Sequence, residues 1–282
     1  MKRTAPVNRI IEFSNVDGPG NRTSIFVQSC PFRCLYCHNP ETITMCISCG
    51  ECVTTCPPTP KALSMQDHKV VWNQDACVMC DTCIHTCRHF SSPKITWMTP
   101  DDVAERLQLT LPFIEGITVS GGECTTYPEF LTELFKKVHA MNKTCFLDSN
   151  GAWLYSEMPE LMEQTDAVML DVKAWNPEWH MELCSYPNDN VIANLAWLQE
   201  HHKLYEVRTV CLPEEPEHNE DTVRNVAEHL DPSIRYKLIK YRPFGVREEG
   251  LKRLGHSITS EEEIQRLKKI AEDAGARNII VV

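Results

Sequence analysis

The stretch CPFRCLYC, residues 30–37, places Cys30, Cys34 and Cys37 in one short loop. Three thiolates are one too few to ligate all four irons of a [4Fe–4S] cluster. The pattern therefore predicts a cluster with one open iron, which can bind a small-molecule chelator and pass an electron into it. A zinc site or a set of buried thiols is the alternative for three close cysteines.

The composition limits the partners and the location. The chain has 282 residues, 42% of them hydrophobic, which suffices for one large domain and a smaller one. No segment approaches the roughly 20 uninterrupted apolar residues that cross a bilayer, and residues 1–6 lead into no apolar signal stretch. We therefore expect a cytoplasmic protein with no membrane partner. The formal charge of −11 argues against a nucleic-acid partner.

Eleven of the fifteen cysteines fall between residues 30 and 87. Clustered cysteines in a reducing cytoplasm are expected to bind metal. Eight of them form two runs displaced by 31 residues at every position: Cys46, Cys49, Cys52 and Cys56, then Cys77, Cys80, Cys83 and Cys87. This duplication separates residues 41–93 from the rest. The isolated cysteines are expected to be buried, inert thiols: Cys124, Cys145, Cys184 and Cys211.

Each run resembles the ligand run of a bacterial ferredoxin, in which the fourth cysteine binds the cluster of the other half. The resemblance implies one [4Fe–4S] cluster on Cys46, Cys49, Cys52 and Cys87, and a second on Cys77, Cys80, Cys83 and Cys56. Zinc is again the alternative. Because so short a module has little apolar core, we expect the clusters to hold it together.

Outside this segment, β-branched runs alternate with amphipathic helical stretches, which is typical of a parallel α/β sheet. The predicted strands cover residues 23–28, 117–120, 144–148, 167–172, 205–210, 236–241 and 278–282. Capping boxes predict helix starts at Thr99 with Asp102 and at Ser260 with Glu263, and Gly275 is a predicted C-cap. The unusual residues follow the first four strands, where a parallel barrel places its chemistry.

Three motifs resemble those of the glycyl-radical-enzyme activating enzymes of the radical S-adenosylmethionine (SAM) superfamily. The spacing C-x3-C-x2-C is typical of that superfamily, residues 13–22 (FSNVDGPGNR) are similar to a V-D-G-P-G-x-R signature, and residues 37–40 to C-H-N-P. The duplicated segment lies where one subgroup carries a two-cluster ferredoxin-like insertion. The resemblance implies a partial (β/α)6 parallel barrel from residues 1–40 and 94–282, with residues 41–93 as an inserted 2[4Fe–4S] domain.

The resemblance also implies roles for the residues after each strand. Cys30, Cys34 and Cys37 would bind the site cluster; Tyr36, His38 and Asn39 would bind SAM, the first two along its adenine; Gly121, Gly122 and Glu123 would hold its amino group, and Lys173 its carboxylate; Asp148, Ser149 and Asp171 match a monovalent-cation site of some relatives; Arg208 matches an arginine near cofactor and substrate. Taken singly, each of these residues could instead have a purely structural role in a turn, a cap, a surface charge or an ion pair. Cys124 stands where relatives commonly have proline.

The implied activity is that of an oxidoreductase working anaerobically. An electron from a flavodoxin or ferredoxin would let the site cluster cleave SAM to a 5′-deoxyadenosyl radical, which abstracts a Cα hydrogen from a glycine of a partner glycyl radical enzyme. Two other functions stay open: radical chemistry on a small molecule, and electron transfer through the ferredoxin-like segment alone. The identity of the partner is not encoded in these motifs.

Overall fold

The computed structural model describes residues 3–57 and 59–282. The strands are β1 (Ala5–Ser14), β2 (Arg22–Val27), β3 (Leu63–Gln66), β4 (Lys69–Trp72), β5 (Thr96–Met98), β6 (Gly116–Gly121), β7 (Thr144–Ser149), β8 (Ala167–Asp171), β9 (Leu204–Cys211), β10 (Arg235–Lys240) and β11 (Asn278–Val281). The α-helices are α1 (Glu51–Thr55), α2 (Thr82–Thr86), α3 (Pro100–Leu107), α4 (Pro128–Ala140), α5 (Pro159–Gln164), α6 (Pro177–Cys184), α7 (Asp189–Glu200), α8 (Pro216–His229), α9 (Glu248–Leu254) and α10 (Glu261–Asp273).

The main sheet has the strand order β11-β10-β9-β8-β7-β6-β2-β1-β5. Neighbours from β2 through β6 to β11 run parallel, whereas β1 pairs antiparallel with both β2 and β5. All the predicted strands are present, with each end shifted by at most one residue. The prediction missed β1, whose pairing with β2 is interrupted by two register shifts, and the three-residue β5.

The sheet curves around a cavity at its carboxyl end. Gly121 of β6 and Ile239 of β10 line the same cavity although three strands separate β6 from β10. In a flat sheet these two strands would lie about 19 Å apart. The curvature agrees with the predicted incomplete barrel and brings the loops of distant strands together.

The predicted helix caps are confirmed in part. At α3 the Thr99 side chain accepts a bond from the Asp102 N–H, and the Asp102 carboxylate accepts one from the Thr99 N–H at 2.7 Å. At α10 the Ser260 hydroxyl accepts from the Glu263 N–H, but the Glu263 carboxylate pairs with Arg266 instead of returning to the cap. Gly275, with φ of +118°, lies one residue beyond the actual C-cap.

The helices that flank the sheet bury one apolar face each. Helix α4 illustrates this with Phe130, Leu131, Leu134, Phe135 and Val138, all buried. None of the helices within residues 3–57 and 59–282 is long and apolar enough to cross a bilayer.

The segment from residue 46 to 87 repeats its backbone as well as its cysteines. Helices α1 and α2 begin 31 residues apart, and each follows a residue with positive φ, Gly50 at +85° and Asp81 at +56°. Ser48 and Met79, also 31 residues apart, share positive φ as well. The β3–β4 hairpin joins the halves. A small buried cluster lies apart from the main core: Cys52, Cys56, Ala62, Leu63 and Cys83.

Candidate active site

A cavity of about 1010 Å³, including its open mouth, lies at the carboxyl ends of the parallel strands. Most of the predicted site residues line it: Cys30, Cys34, Tyr36, Cys37, His38, Asn39, Gly121, Gly122, Asp148, Ser149, Asp171, Lys173 and Arg208. Sequence analysis missed Ser120, Asn150, Val210 and Ile239, which line it too. The first two adjoin predicted residues in the chain, and that was the available signal. Val210 and Ile239 gave no signal in the sequence, because apolar strand residues are expected in the hydrophobic core.

The three thiols occupy one side of this cavity. Cys34 is buried, and Cys30 and Cys37 are half-buried. Burial raises the pKa of the Cys37 thiol to about 11, so it stays protonated at neutral pH unless a metal ion replaces the proton. The raised pKa of Cys37 therefore argues against acid–base chemistry by this thiol at neutral pH.

Gly121 and Gly122 allow the end of β6 to pack directly on the chain that enters residues 30–37, which we call the cluster loop. Gly121 has φ of +116°, and a Cβ atom there would lie 2.3 Å from the Val27 backbone. A Cβ atom at Gly122 would lie 2.2 Å from the Ser29 carbonyl oxygen. The two glycines thus position the cluster loop against the sheet.

Glu123 lies outside the cavity lining and is fully buried. Its Oε1 accepts a 2.8 Å bond from the Ser149 hydroxyl, and its Oε2 accepts a 2.8 Å bond from the Asn150 N–H. The Thr125 hydroxyl and N–H also donate to Oε1. The carboxylate is therefore already used within the protein, where it holds the loop after β7.

The four isolated cysteines are buried, as predicted. Cys124 is fully buried beside Glu123, and its Sγ atom lies 3.5 Å from the Asp148 carbonyl oxygen. Burial raises the pKa of the Cys124 thiol well above its usual value. This thiol supports the cavity wall from behind.

Charged side chains of alternating sign form another part of the cavity wall. Arg208 bridges both aspartates: its Nη2 bonds to Asp148, and its Nε lies 2.9 Å from an Asp171 oxygen. The second Asp171 oxygen accepts a 2.7 Å bond from the Lys173 ammonium. Burial is the largest single influence and lowers the pKa of Lys173, but Asp171, Tyr36 and Cys34 together outweigh it, so the pKa is raised well above its usual value. Lys173 is thus a fixed cation in the cavity.

The two predicted adenine-binding residues have different surroundings. Tyr36 is buried, its ring lies 5.8 Å from the Lys173 Nζ, and its hydroxyl has no hydrogen-bond partner among the residues that the structure describes. His38 is exposed, and its Nε2 lies 3.0 Å from the Arg242 carbonyl oxygen. An unsatisfied buried hydroxyl on a cavity wall is typical of a ligand site.

The chain after β10 holds the cluster loop from the far side. The Arg247 guanidinium donates to the Arg33 carbonyl oxygen at 2.8 Å and to that of Cys34 at 3.2 Å. A Cβ atom at Gly250 would lie 1.9 Å from the Leu35 carbonyl oxygen. The cluster loop is thus clamped between two parts of the chain that are distant in sequence.

Residues 13–22 lie at the amino end of β2, away from the cavity. Arg22 is buried, with its Nη2 2.6 Å from the Ile117 carbonyl oxygen and its Nε 2.9 Å from the Thr118 hydroxyl. Gly18, with φ of +123°, would place a Cβ atom 2.8 Å from the Arg22 side chain. This motif therefore stabilises the amino ends of the strands.

The cysteines of the duplicated segment line two further cavities. One, of about 350 Å³, is lined by Cys46, Cys49, Cys52 and Cys87. The other, of about 320 Å³, is lined by Cys77, Cys80, Cys83 and Cys56. The fourth cysteine of each run therefore joins the cavity of the other half, which is the crossing that the ferredoxin resemblance implies.

The spacing of the thiols distinguishes between one ion and a cluster. Thiolates around a tetrahedral zinc ion lie about 3.8 Å apart. Within residues 3–57 and 59–282, His139, Cys145 and Asp166 are the only group of three or more candidate ligands whose atoms all lie within 4.8 Å. No three thiols of the three cavities form such a group within the described residues.

Comparison with known proteins identifies the class. The family profile described as the Radical SAM superfamily matches residues 24–226. The fold is similar to a mutant of spore photoproduct lyase, with a TM-score of 0.58 at 11% identity over 98% of this chain and 81% of the other. It is also similar to Streptococcus suis SuiB bound to S-adenosylmethionine, with a TM-score of 0.52 at 15% identity over 66% of this chain and 44% of the other. Fold and site thus define a radical SAM protein.

Sequence relatives narrow the class. A Haemophilus influenzae protein assigned to the glycyl-radical enzyme activating enzymes is 30% identical over 98% of this chain and 96% of its own. The pyruvate formate-lyase-activating enzyme of Streptococcus mutans is 29% identical over 86% of this chain and 80% of its own. The choline trimethylamine-lyase activating enzyme of Oleidesulfovibrio alaskensis is 28% identical over 87% of this chain and 86% of its own. The chain therefore belongs to the radical SAM superfamily and, within it, to the glycyl-radical-enzyme activating enzymes. Membership implies SAM and a [4Fe–4S] cluster as cofactors.

Proposed function

We propose that this enzyme generates a glycyl radical in a partner enzyme, with Cys30, Cys34 and Cys37 as the ligands of a [4Fe–4S] cluster that has one open iron. One observation carries the proposal: three thiols share a cavity with charged residues from neighbouring strand ends. The thiols fit a cluster with one open iron because they are three and closely spaced in sequence.

The wall residues fit the two ends of SAM. The Lys173 ammonium suits the methionyl carboxylate, and the Asp148 carboxylate suits the amino group, since both residues line the cavity. Tyr36, His38 and Asn39 suit the adenine on the cluster-loop side. Glu123 acts indirectly, by positioning Ser149 and Asn150.

When bound, SAM and the reduced cluster supply a 5′-deoxyadenosyl radical that takes a hydrogen atom from the Cα of a glycine in the partner. The protein positions the reactants and excludes water. Because the cavity has an open mouth, a peptide loop of the partner can reach it.

A monovalent cation at Asp148, Ser149 and Asp171 stays a prediction. Arg208 already bonds to both carboxylates, and the Ser149 hydroxyl donates to Glu123. A cation would have to share these carboxylates with Arg208. The dependence of the SAM KM on K⁺, compared with a bulky organic cation of equal ionic strength, tests this point.

We further propose that residues 41–93 form a 2[4Fe–4S] domain inserted into a barrel of residues 1–40 and 94–282. The two four-thiol cavities support it. Fully ligated clusters can carry electrons but cannot bind SAM. The domain would pass electrons from a flavodoxin or ferredoxin to the site cluster.

The test is anaerobic reconstitution with iron and sulfide, followed by dithionite and SAM. The proposal expects 5′-deoxyadenosine and, with the correct glycyl radical enzyme from the same organism, an electron paramagnetic resonance (EPR) signal of a glycyl radical. Production of 5′-deoxyadenosine with a small molecule and no protein radical would indicate the small-molecule alternative. Intact SAM would indicate an electron-transfer protein.

A further inference from the structure

The cluster loop is docked on the carboxyl end of α6. The Arg33 and Leu35 N–H groups each donate a 2.8 Å bond, to the carbonyl oxygens of Cys184 and Leu183 respectively. The Phe32 ring packs edge-on against the ring of His180 nearby. In this arrangement the fully buried Cys184 places its Sγ atom 3.6 Å from that of Cys34. A thiol outside the cavity lining therefore contacts a cluster ligand.

A second side chain approaches another ligand from the β7 side. The Nδ2 of Asn150 lies 3.4 Å from the Cys30 Sγ atom. The orientation of this amide is set by its Oδ1, which accepts a 3.0 Å bond from the Ala152 N–H, and by the Asn150 N–H, which donates to Glu123. The amide is buried and has its N–H group directed at the sulfur.

We propose that the Asn150 amide and the Cys184 thiol raise the reduction potential of the site cluster by donating hydrogen bonds to the sulfurs of Cys30 and Cys34. The inference rests on the proposed assignment of these two cysteines as ligands. A cluster-bound thiolate has no proton, so Cys184 must be the donor in its pair. Reduction adds one electron to the cluster, and hydrogen bonds to the sulfurs stabilise that negative charge.

The contribution of Cys184 can be separated from the docking of the loop. The two backbone bonds and the Phe32–His180 contact do not involve the Cys184 side chain. Cys184→Ala removes the S–H donor, and Cys184→Ser restores a donor of similar size. Asn150→Asp removes the N–H donor but keeps an oxygen for the Ala152 N–H. Cys211→Ala is the matched control, because Cys211 is an equally buried thiol outside the cavity lining.

The experiment is an EPR-monitored redox titration of the reconstituted holoenzyme. The signal that changes when SAM is added identifies the cluster with the open iron. We expect Asn150→Asp to make reduction about tenfold less favourable, which is about 59 mV for one electron. Because S–H is a weaker donor, the Cys184→Ala shift should have the same sign and be smaller, with Cys184→Ser close to the wild type and Cys211→Ala unchanged.

Different outcomes separate this inference from the proposed function. If the wild type shows no SAM-sensitive signal, the proposed function fails. If it does and the two donor-free variants keep the wild-type potential, or Cys211→Ala shifts it equally, the inference is overturned. If Cys184→Ala does not incorporate iron, the other two variants still test the inference. A wild-type potential in Asn150→Asp contradicts it, and so does a large shift in Cys184→Ser.

Discussion

The cluster loop and the duplicated segment present cysteine thiols in two different settings. The cluster loop offers three thiols to a cavity of about 1010 Å³ whose other wall is charged, whereas each cavity of the segment has four thiols and about 350 or 320 Å³. The cavity that has only three thiols is also the one with space and charged side chains for a second molecule. On the proposed assignment, the number of thiols separates a cavity for SAM chemistry from two cavities for electron-carrying clusters.

The two regions also differ in what holds them together. The cluster loop rests on a large apolar core and is clamped by α6 and Arg247. The buried cluster of the segment has only five residues, three of them cysteines. We therefore expect metal binding to matter little for the stability of the cluster loop and to be the main source of stability in the duplicated segment.

Iron removal should give the largest difference in stability between the duplicated segment and the rest of the protein. We expect anaerobic chelation to abolish amide hydrogen-exchange protection in α1 and α2, because their core consists largely of ligand thiols. Protection in α4 and β7 should persist, since their core is apolar. Hydrogen exchange followed by mass spectrometry measures both. Simultaneous loss in both regions would show that the comparison is wrong.

Replacing a ligand of the cluster loop should stop the chemistry. Cys34→Ala is expected to lower 5′-deoxyadenosine production at least about 100-fold, because the cluster with the open iron is lost. Cys211→Ala, with an equally buried thiol, should retain activity. Unchanged cleavage in Cys34→Ala would falsify the site assignment.

Lys173 is the charged residue with which the proposed SAM cavity can be tested. Lys173→Gln should raise the KM for SAM about 10- to 100-fold, because a charge-assisted hydrogen bond to the methionyl carboxylate is lost. The raised pKa of Lys173 keeps its charge as pH rises, so the wild-type KM should stay flat from roughly pH 7 to 9. A KM that climbs within this range, or an unaffected variant, would argue for another carboxylate partner.

The smallest effect is expected in the electron path. Cys80→Ala should reduce SAM cleavage several-fold with a flavodoxin or ferredoxin as donor, and little with dithionite, which reaches the site cluster directly. Cys49→Ala makes the same test in the other half of the duplicated segment. Equal losses with both reductants would count against a relay and favour a structural role for the segment.

The local patterns predicted the strands and the motif loops well. Period and residue type identify a strand without knowledge of its neighbours, which is why each of the predicted strands is found within one residue. Strand β1 lacked such a pattern because its two register shifts break the alternation, and β5 is too short to show one. Residues 13–22 were a good family signature, yet they lie at the opposite end of the strands from the cavity.

The number of thiols that each loop can offer was a property of the sequence alone, because cysteine spacing within a loop sets how many thiols can meet one metal group. Only the tertiary structure decided which side of the cavity wall each remaining group occupies. It buried Glu123 behind the wall and brought Cys184 to Cys34, 150 residues away. The physical reason is that curvature of the sheet brings together strand ends and helix ends that share no local pattern.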